Sequence, residues 1–117
     1  AYSLRHNLEV AESAGACAQT LCAIGGAANS RFWTQMKADV TGKRIVVPSA
    51  DTATALGAAI LAGVGTGVYT DFEQAVRETV QIKREHTPNA TLKAAYDKGY
   101  QTYRALYENL KNLMSEA

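Results

Sequence analysis

Residues 20–48 of the chain read TLCAIGGAANSRFWTQMKADVTGKRIVVP and contain two short apolar runs on either side of a longer segment. The first run, Thr20–Ile24, ends at Gly25-Gly26, and its brevity and glycine boundary predict a buried strand. The second run, Arg44–Val47, is rich in β-branched residues and stops at Pro48, which predicts another strand. Two strands therefore flank the segment between the runs.

That intervening segment predicts a helix. Asn29 or Ser30 can cap its first turn. The helix then runs to about Thr41, with Gly42 just past its end. A strand, a helix and a strand within about thirty residues form a right-handed βαβ unit with parallel strands, so the expected fold class is α/β.

Helical periodicity predicts four further helices outside this unit. They cover Tyr2 to about Ala14, Ala53–Val64, a short segment that begins near Phe72, and Thr91–Met114. In the first of them Leu4 and Leu8 lie on one face, whereas Glu9 faces elsewhere. Asp71 and Gln74 have the spacing of a capping pair for the short helix.

The longest apolar run without a charge is Thr52–Thr70, which is rich in alanine and glycine. Because Gly63, Gly65 and Gly67 interrupt it, the run predicts a packing helix followed by a loop rather than a membrane span. A glycine inside a helix costs up to about 1 kcal/mol relative to alanine. Gly57 and Gly63 therefore imply a packing or ligand-binding reason.

The composition is that of an ordinary soluble polypeptide with one modest core. Of its 117 residues 47% are hydrophobic and 20% charged, with 12 Lys and Arg against 11 Asp and Glu. A net charge of +1 without a clustered basic face argues against binding to nucleic acid or to an anionic membrane. Cys17 and Cys22 lie in apolar surroundings, which predicts buried thiols in a reducing compartment, and no signal peptide is recognised. We therefore expect a cytoplasmic protein.

The strongest local signal for a binding site is the glycine turn Ile24–Ser30, between the first strand and the helix. Glycines allow positive φ angles and close approach of a ligand to the backbone. The N–H groups of the first helical turn offer hydrogen bonds to an anion or a polar ring, and Asn29 or Ser30 can add a side-chain bond. The alternative is a tight structural turn with an ordinary helix cap, and local physics leaves both interpretations open.

Other candidate sites are weaker. The glycine cluster of residues 63–67 has the spacing of a dinucleotide fingerprint, but it follows a helix rather than a strand, which argues against an oxidoreductase. The cysteines and the two histidines, His6 and His86, lack the short paired spacings of zinc ligands. Asp39 and Asp51 can in principle serve as general bases or magnesium ligands, although acids at such places are more often solvated helix residues or caps.

A tyrosine stripe marks one face of the last predicted helix. It consists of Tyr96, Tyr100, Tyr103 and Tyr107 at helical spacing. Such a face can dock onto the rest of its own domain, with the hydroxyl groups at the wet edge. It can also bind a partner, and the alternative function from a different class is therefore a non-catalytic interaction domain that uses this helix.

An ordered series of motifs carries a resemblance to a known family. The series consists of Gly25-Gly26-Ala27; Ser30, Trp33 and Gln35; Ala38-Asp39-Val40-Thr41-Gly42; Val46-Val47-Pro48; and Ala55-Leu56-Gly57-Ala58-Ala59. In this order and spacing it resembles the C-terminal domain of the FGGY sugar kinases, and most of all their xylulokinase-like members. The resemblance extends from about Leu4 to Tyr107. Ala27 and Thr52 depart from the pattern, because many xylulokinase-like members have a third glycine and a glutamate there.

The resemblance implies a fold of two actin-like, ribonuclease H-like α/β domains, with ATP and sugar in the cleft between them. Residues 1–117 then form the C-terminal portion of the nucleotide-binding domain, and residues 89–117 form its long terminal helix. A partial actin-like domain with a βαβ unit is therefore the expected architecture.

The same resemblance assigns roles within the glycine turn. Carried over by position, Gly25, Gly26 and Ala27 let the backbone lie against the nucleotide. Ser30 sits beside the adenine, and the helix that contains Ala55–Ala59 packs behind this pocket. These are the cofactor-binding residues that the resemblance implies.

The implied reaction transfers the γ-phosphate of MgATP to a hydroxyl of a small sugar or polyol, such as the ketopentose xylulose. In the family the catalytic aspartate, the main sugar-binding residues and the N-terminal phosphate-binding loop lie upstream of this segment, and the magnesium ligands are also expected outside it. We therefore name no catalytic residue and no metal ligand here, and we expect the isolated chain to be inactive. The resemblance also allows a homodimer of the full-length enzyme.

Overall fold

The computed structural model of the chain describes residues 1–49 and 53–115. Within these ranges the helices are α1 (Tyr2–Ser13), α2 (Arg31–Thr41), α3 (Ala53–Gly65), α4 (Phe72–Thr79) and α5 (Lys93–Ser115). The strands are β1 (Thr20–Cys22), β2 (Arg44–Pro48) and β3 (Ile82–His86). Two short 3-10 turns occupy Gly26–Asn29 and Ala90–Leu92. Asp51 and Thr52, which the sequence analysis singled out, lie outside the described residues.

The predicted βαβ unit is present. Strands β1 and β2 are parallel, with Leu21 opposite Ile45, and α2 connects them. The side chain of Ser30 accepts a hydrogen bond from the backbone N–H of Trp33 (3.2 Å), which makes it the N-cap of α2. Gly42 ends the helix in the left-handed conformation, with φ of 67°. The cap and the stop that the sequence predicted are therefore confirmed.

A third strand, which the sequence analysis did not predict, completes the sheet in the order β1-β2-β3. Strand β3 runs antiparallel to β2 and places His86 opposite Ile45 and Arg84 opposite Val47. Its sequence, IKREH, lacks the apolar alternation of a half-buried strand because charged side chains occupy three of its five positions.

Helix α2 packs against β2 and β3, which divides the sheet into a covered and an open face. Ile45, Val47 and His86 are buried on the covered face. The open face carries Thr20, Cys22, Arg44 and Glu85, all exposed. Arg44 lies at its centre, donating to the hydroxyl of Thr20 (3.3 Å) and pairing with Glu85 (3.2 Å).

The expected burial of the two cysteines is wrong, because both Cys17 and Cys22 are exposed. Cys22 shares the open face of the sheet with Thr20, since side chains two positions apart on a strand point to the same side. Cys17 lies in the connection between α1 and β1.

Helices α1 and α5 contact each other through a group of side chains: Tyr2, Arg5, Glu9, Asp97, Tyr100 and Tyr103. The rings of Tyr2 and Tyr100 lie 6.0 Å apart, and Tyr100 is only 6% exposed. Arg5 donates to Asp97 (2.7 Å) and lies over the Tyr100 ring. Glu9 was expected to face elsewhere, but it accepts a hydrogen bond from Tyr100 and therefore belongs to the interface.

The α3–α4 segment confirms the predicted capping pair. The side chain of Asp71 accepts from the N–H of Gln74 (2.7 Å), and the side chain of Gln74 accepts from the N–H of Thr70 (2.8 Å). A Cβ atom added to Gly63 would meet the ring of Tyr69 at 2.7 Å, which is the packing reason expected there. A Cβ atom on Gly57 would meet no heavy atom of the described residues within 4 Å, so the structure gives no such reason for that glycine.

Candidate functional site

The glycine turn follows β1 and lies open on one side. Gly25 has φ of 79° and ψ of 179°, a conformation that essentially only glycine adopts. Gly26 then begins the 3-10 turn that leads to the Ser30 cap. A Cβ atom built on Gly25 or Gly26 would meet no heavy atom of residues 1–49 or 53–115 within 4 Å, and both residues are exposed. The backbone of the turn is therefore accessible to a ligand.

A depression of about 100 Å³ lies between this turn and the end of β2. Its lining comes from Ala23, Ile24, Gly25, Gly26, Ala28, Asn29, Val47 and Pro48. Of the predicted cofactor-binding residues, Gly25 and Gly26 line the depression, whereas Ala27 and Ser30 are exposed beside it. The depression lies where ligands of α/β folds commonly bind, at the carboxyl ends of parallel strands.

The chemistry of this depression suits an uncharged flat ring. Its lining residues carry no ionisable side chain. The N–H groups of Gly26 and Ala27 open the 3-10 turn and so have no acceptor within it. Ser30 Oγ accepts from the N–H of Trp33, which leaves its own O–H as a donor toward a ligand. The turn therefore offers a flat backbone surface with hydrogen-bond donors beside it.

Side chains of β3 and α2 hold the turn from behind. The carbonyl of Ala28 accepts hydrogen bonds from Arg84 Nη2 and from Thr34 Oγ1 (3.3 Å). Arg84 Nε in turn contacts His86 Nε2 (3.0 Å), and His86 Nδ1 contacts Gln35 Oε1 (2.9 Å). Sequence reasoning weighed His86 as a metal ligand but missed its contact with Arg84, because both belong to the polar strand that it did not predict.

The electrostatic surroundings of His86 favour its neutral form. Burial lowers the pKa of the imidazole, and the nearby guanidinium groups of Arg84 and Arg31 lower it further. Asp39 acts in the opposite direction but does not reverse the shift. The ring therefore enters its contacts with Arg84 and Gln35 uncharged at neutral pH.

The remaining candidates show structural contacts. Asp39 is buried and accepts from the Gln35 side chain and from the N–H of Asn89, both at 2.8 Å, so it ties α2 to the start of the terminal segment. The described part of the chain holds no group of three or more His, Cys, Asp or Glu side chains arranged to bind a metal ion. Within residues 1–49 and 53–115, none of the helices combines the length and apolar character that crossing a bilayer requires.

A larger cavity, of about 360 Å³, lies away from the turn, between α1, the end of α2 and the start of α5. Charged side chains pair with one another at its wall, as Arg5 does with Asp97 (2.7 Å) and Lys43 with Glu12 (2.5 Å). Because these charges are paired with one another, a ligand would have to displace an ion pair to use them. The smaller depression at the glycine turn is therefore the better candidate.

Comparison with known proteins gives consistent matches. The model of the FGGY family of carbohydrate kinases, C-terminal domain, matches residues 1–66, more than half of the chain. The chain is similar to an autoinducer-2 kinase from Yersinia pestis (strain Pestoides F), with 38% identity over 106 residues, which are 91% of this chain and 20% of that protein. An autoinducer-2 kinase from Salmonella paratyphi B is 37% identical over the same length. The chain thus spans about a fifth of the length of these curated relatives.

Solved structures agree with the sequence matches. The xylulose kinase from Rhodospirillum rubrum superposes with a TM-score of 0.82 and 28% identity, covering 96% of this chain and 23% of that one. A xyloylose kinase from Brucella ovis gives 0.85 and 33%, with the same coverage. These matches confirm the expected fold class, a part of the actin-like α/β fold of the sugar kinases. The chain belongs to the FGGY family of carbohydrate kinases, as part of their C-terminal domain.

Proposed function

We propose that this chain binds the adenosine part of ATP in a kinase that phosphorylates a small sugar or polyol. The observation that carries the proposal is the open glycine turn at the end of β1, in a chain of the FGGY family. The purine would lie against the backbone of Gly25, Gly26 and Ala27, in the space that a side chain at either glycine would otherwise fill. Ser30, at the start of α2, would donate its O–H to the adenine.

The parent reaction would move the γ-phosphate of MgATP onto a hydroxyl group of the acceptor. A ketopentose such as xylulose is our proposed acceptor, because two of the similar solved structures are xylulose kinases, from Rhodospirillum rubrum and Lactobacillus acidophilus. Phosphoryl transfer depends on positioning of the reactants and on neutralisation of the phosphoryl oxygens by a metal ion. The depression has no ionisable lining, so it suits the nucleoside, while magnesium and the phosphates would be held by other residues of the enzyme.

Two consequences follow for the isolated chain. The proton acceptor and the main sugar-binding residues would come from other parts of the enzyme, so the chain by itself should bind nucleotide without transferring phosphate. A phosphorylation assay on the purified chain should show no turnover, and turnover would contradict this part of the proposal. Because ATP-dependent sugar kinases act on cellular sugars, we also place the enzyme in the cytoplasm.

Nucleotide binding can be tested with a glycine substitution that leaves the fold intact. Gly26 has room for a Cβ atom and does not need a positive φ, so Gly26→Ala should keep its stability. The new methyl group would stand where the purine must approach, so ADP affinity should fall at least about tenfold, which is roughly 1.4 kcal/mol. Gly65→Ala also adds a methyl group in open space, at the end of α3, and serves as the matched control.

The location of binding is a separate readout. In an NMR titration with ADP, backbone amide signals should move between Gly25 and Trp33. Equal affinity of the wild type and of Gly26→Ala, or shifts that avoid this segment, would contradict the proposal.

The non-catalytic alternative rests on the far end of α5. Tyr107 is 54% exposed, and Leu110 and Met114 are also exposed along the same face. A partner that bound there would shift signals in the second half of α5 and leave the glycine turn unchanged. The same spectra therefore distinguish the two functions.

A further inference from the structure

A continuous series of hydrogen bonds runs behind the glycine turn. Arg84 Nη2 donates to the carbonyl of Ala28, and Arg84 Nε donates to His86 Nε2 (3.0 Å). His86 Nδ1 contacts Gln35 Oε1 (2.9 Å). Gln35 Nε2 donates to Asp39 Oδ1 and to the carbonyl of Thr87, both at 2.8 Å. The series thus connects the turn, β3 and α2.

This arrangement is compatible with a single protonation state of His86. The guanidinium of Arg84 is always a donor, so His86 Nε2 must carry the lone pair that accepts. The amide nitrogen of Gln35 is occupied as a donor, so its oxygen must accept from His86 Nδ1–H. The hydrogen-bond network therefore assigns a neutral ring with its proton on Nδ1.

Arg84 is the principal partner of the Ala28 carbonyl. The hydroxyl of Thr34 is the other donor, but its single proton has a nearer acceptor in the Ser30 carbonyl (2.8 Å against 3.3 Å). Ala28 is buried, and its N–H donates to the carbonyl of Gly25 (3.0 Å). A displacement of Arg84 would therefore be transmitted through Ala28 to Gly25.

We propose that His86 is a positioning residue, which orients Arg84 toward the Ala28 carbonyl and so fixes the conformation of the glycine turn. Protonation of His86 then releases the turn. An imidazolium has a proton on Nε2 as well, which would point at the Nε–H of Arg84 across 3.0 Å. Two donors of like charge cannot share that contact, so the guanidinium must move away.

Few other charges face the ring. Arg84 on β3 and Arg31 on α2 disfavour its protonation, whereas Asp39 on α2 is the one charged group of the described residues that favours it. Ile45, its neighbour on β2, is apolar. The ring therefore titrates at a lower pH than a free histidine, and the turn should hold its geometry at neutral pH.

The test is an NMR titration of the whole chain from about pH 7.5 downward, continued until the ring signals of His86 have passed through their protonation change, which lies below that of a free histidine. The ring nitrogen signals should show the Nδ1–H tautomer of His86 at the start. The amide signals of Gly25, Gly26 and Ala28 should then move with the same midpoint as the ring. The inference is wrong if they stay fixed or follow another midpoint.

Two variants isolate the group that acts. His86→Gln removes the titration but keeps an acceptor for Arg84, so the amide signals of the turn should no longer follow pH in this range. His6 is the other histidine of the chain, and its ring packs edge-to-face against Tyr103. His6→Gln should leave the pH response of the turn as in the wild type. Loss of the pH response in His6→Gln, or its retention in His86→Gln, would overturn the inference. Should His86→Gln fail to fold, the wild-type titration still decides, because ring and amides are observed together.

The inference extends the proposed function, since a released turn should bind ADP about fivefold more weakly, which is roughly 1 kcal/mol. The two claims fail separately. A turn that follows His86 in a chain that does not bind ADP contradicts the proposed function alone. Binding of ADP at the turn with no response to His86 contradicts this inference alone.

Discussion

The hydroxyl of Tyr100 donates a hydrogen bond of 2.5 Å to the carboxylate of Glu9, which lies 91 positions earlier in the chain. Arg5 lies 4.2 Å above the same ring and pairs with Asp97 at 2.7 Å. Together these contacts dock the first half of α5 onto α1. The tyrosine stripe is therefore used in part within the chain, with Tyr100 buried and Tyr107 exposed.

Tyr100→Phe should lower the free energy of unfolding by about 1 kcal/mol, because it deletes the hydrogen bond to Glu9 and leaves the ring packing unchanged. Urea denaturation followed by circular dichroism measures the effect. Tyr107→Phe removes the same hydroxyl from an exposed ring and should change stability by less than about 0.5 kcal/mol. Equal losses in the two variants would show that the Glu9 contact adds no stability.

Stability should fall in acid in two stages. Burial raises the pKa of Glu9, but hydrogen bonds from Tyr100 and Arg5 outweigh this and hold it below its usual value. Hydrogen bonds from Lys93 and Arg5 lower the pKa of Asp97. A carboxylate with a lowered pKa stabilises the fold above its unfolded-state value and loses that contribution as the pH falls, here from about pH 4.5 downward.

The stage nearer neutral pH comes from His86, whose pKa is lowered by burial and by Arg84. Below about pH 6.5 the unfolded chain binds a proton that the folded chain resists, so stability already declines there. Urea midpoints measured from pH 7 to pH 3 should show both stages. Glu9→Gln should weaken only the carboxylate stage at low pH, and His86→Gln only the histidine stage nearer neutral pH.

Two glycines of α3 should respond to alanine in opposite directions. Gly57 has open space around it, so Gly57→Ala should raise stability by about 0.5 to 1 kcal/mol through better helix propensity. Gly63→Ala would push its methyl group into the ring of Tyr69 and should lower stability by about 1 to 3 kcal/mol. Thermal unfolding of both variants checks the prediction, and a common sign would contradict the packing at Gly63.

Ser30 caps α2 and is proposed to contact the adenine, and these two roles can be tested separately. Ser30→Ala removes the acceptor for the Trp33 N–H and should cost about 1 kcal/mol of stability. Asp71→Ala removes the equivalent cap of α4, away from the turn, and should cost a similar amount. Calorimetric titration with ADP should show weaker binding for Ser30→Ala only. A parallel loss in Asp71→Ala would attribute the effect to general destabilisation.

The elements with local signals were predictable from sequence. Ser30 and Gly42 bracket α2 because a hydroxyl cap and a left-handed glycine act within one turn of the chain. The glycine turn was identified for the same reason, since its conformation depends on Gly25 itself. The family resemblance added the assignment of these positions to a nucleotide.

The contacts between distant residues were not predictable. Helical spacing places Glu9 away from the face of Leu4 and Leu8, and nothing near it in sequence indicates a partner at Tyr100. The pairing of His86 with Gln35 likewise joins positions 51 apart. Neither the burial of a charged group nor its partner follows from helical or strand periodicity, which reports only the apolar faces.

The polar sequence that concealed β3 has a consequence for how copies of the chain behave in concentrated solution. In the described residues β3 borders the sheet, so its outer backbone groups are a template on which another chain can add a strand. Lys83 and Glu85 place exposed charges of opposite sign along that border. Charged edges discourage such pairing, so replacing these side chains with threonine or valine should promote aggregation rather than strengthen the sheet.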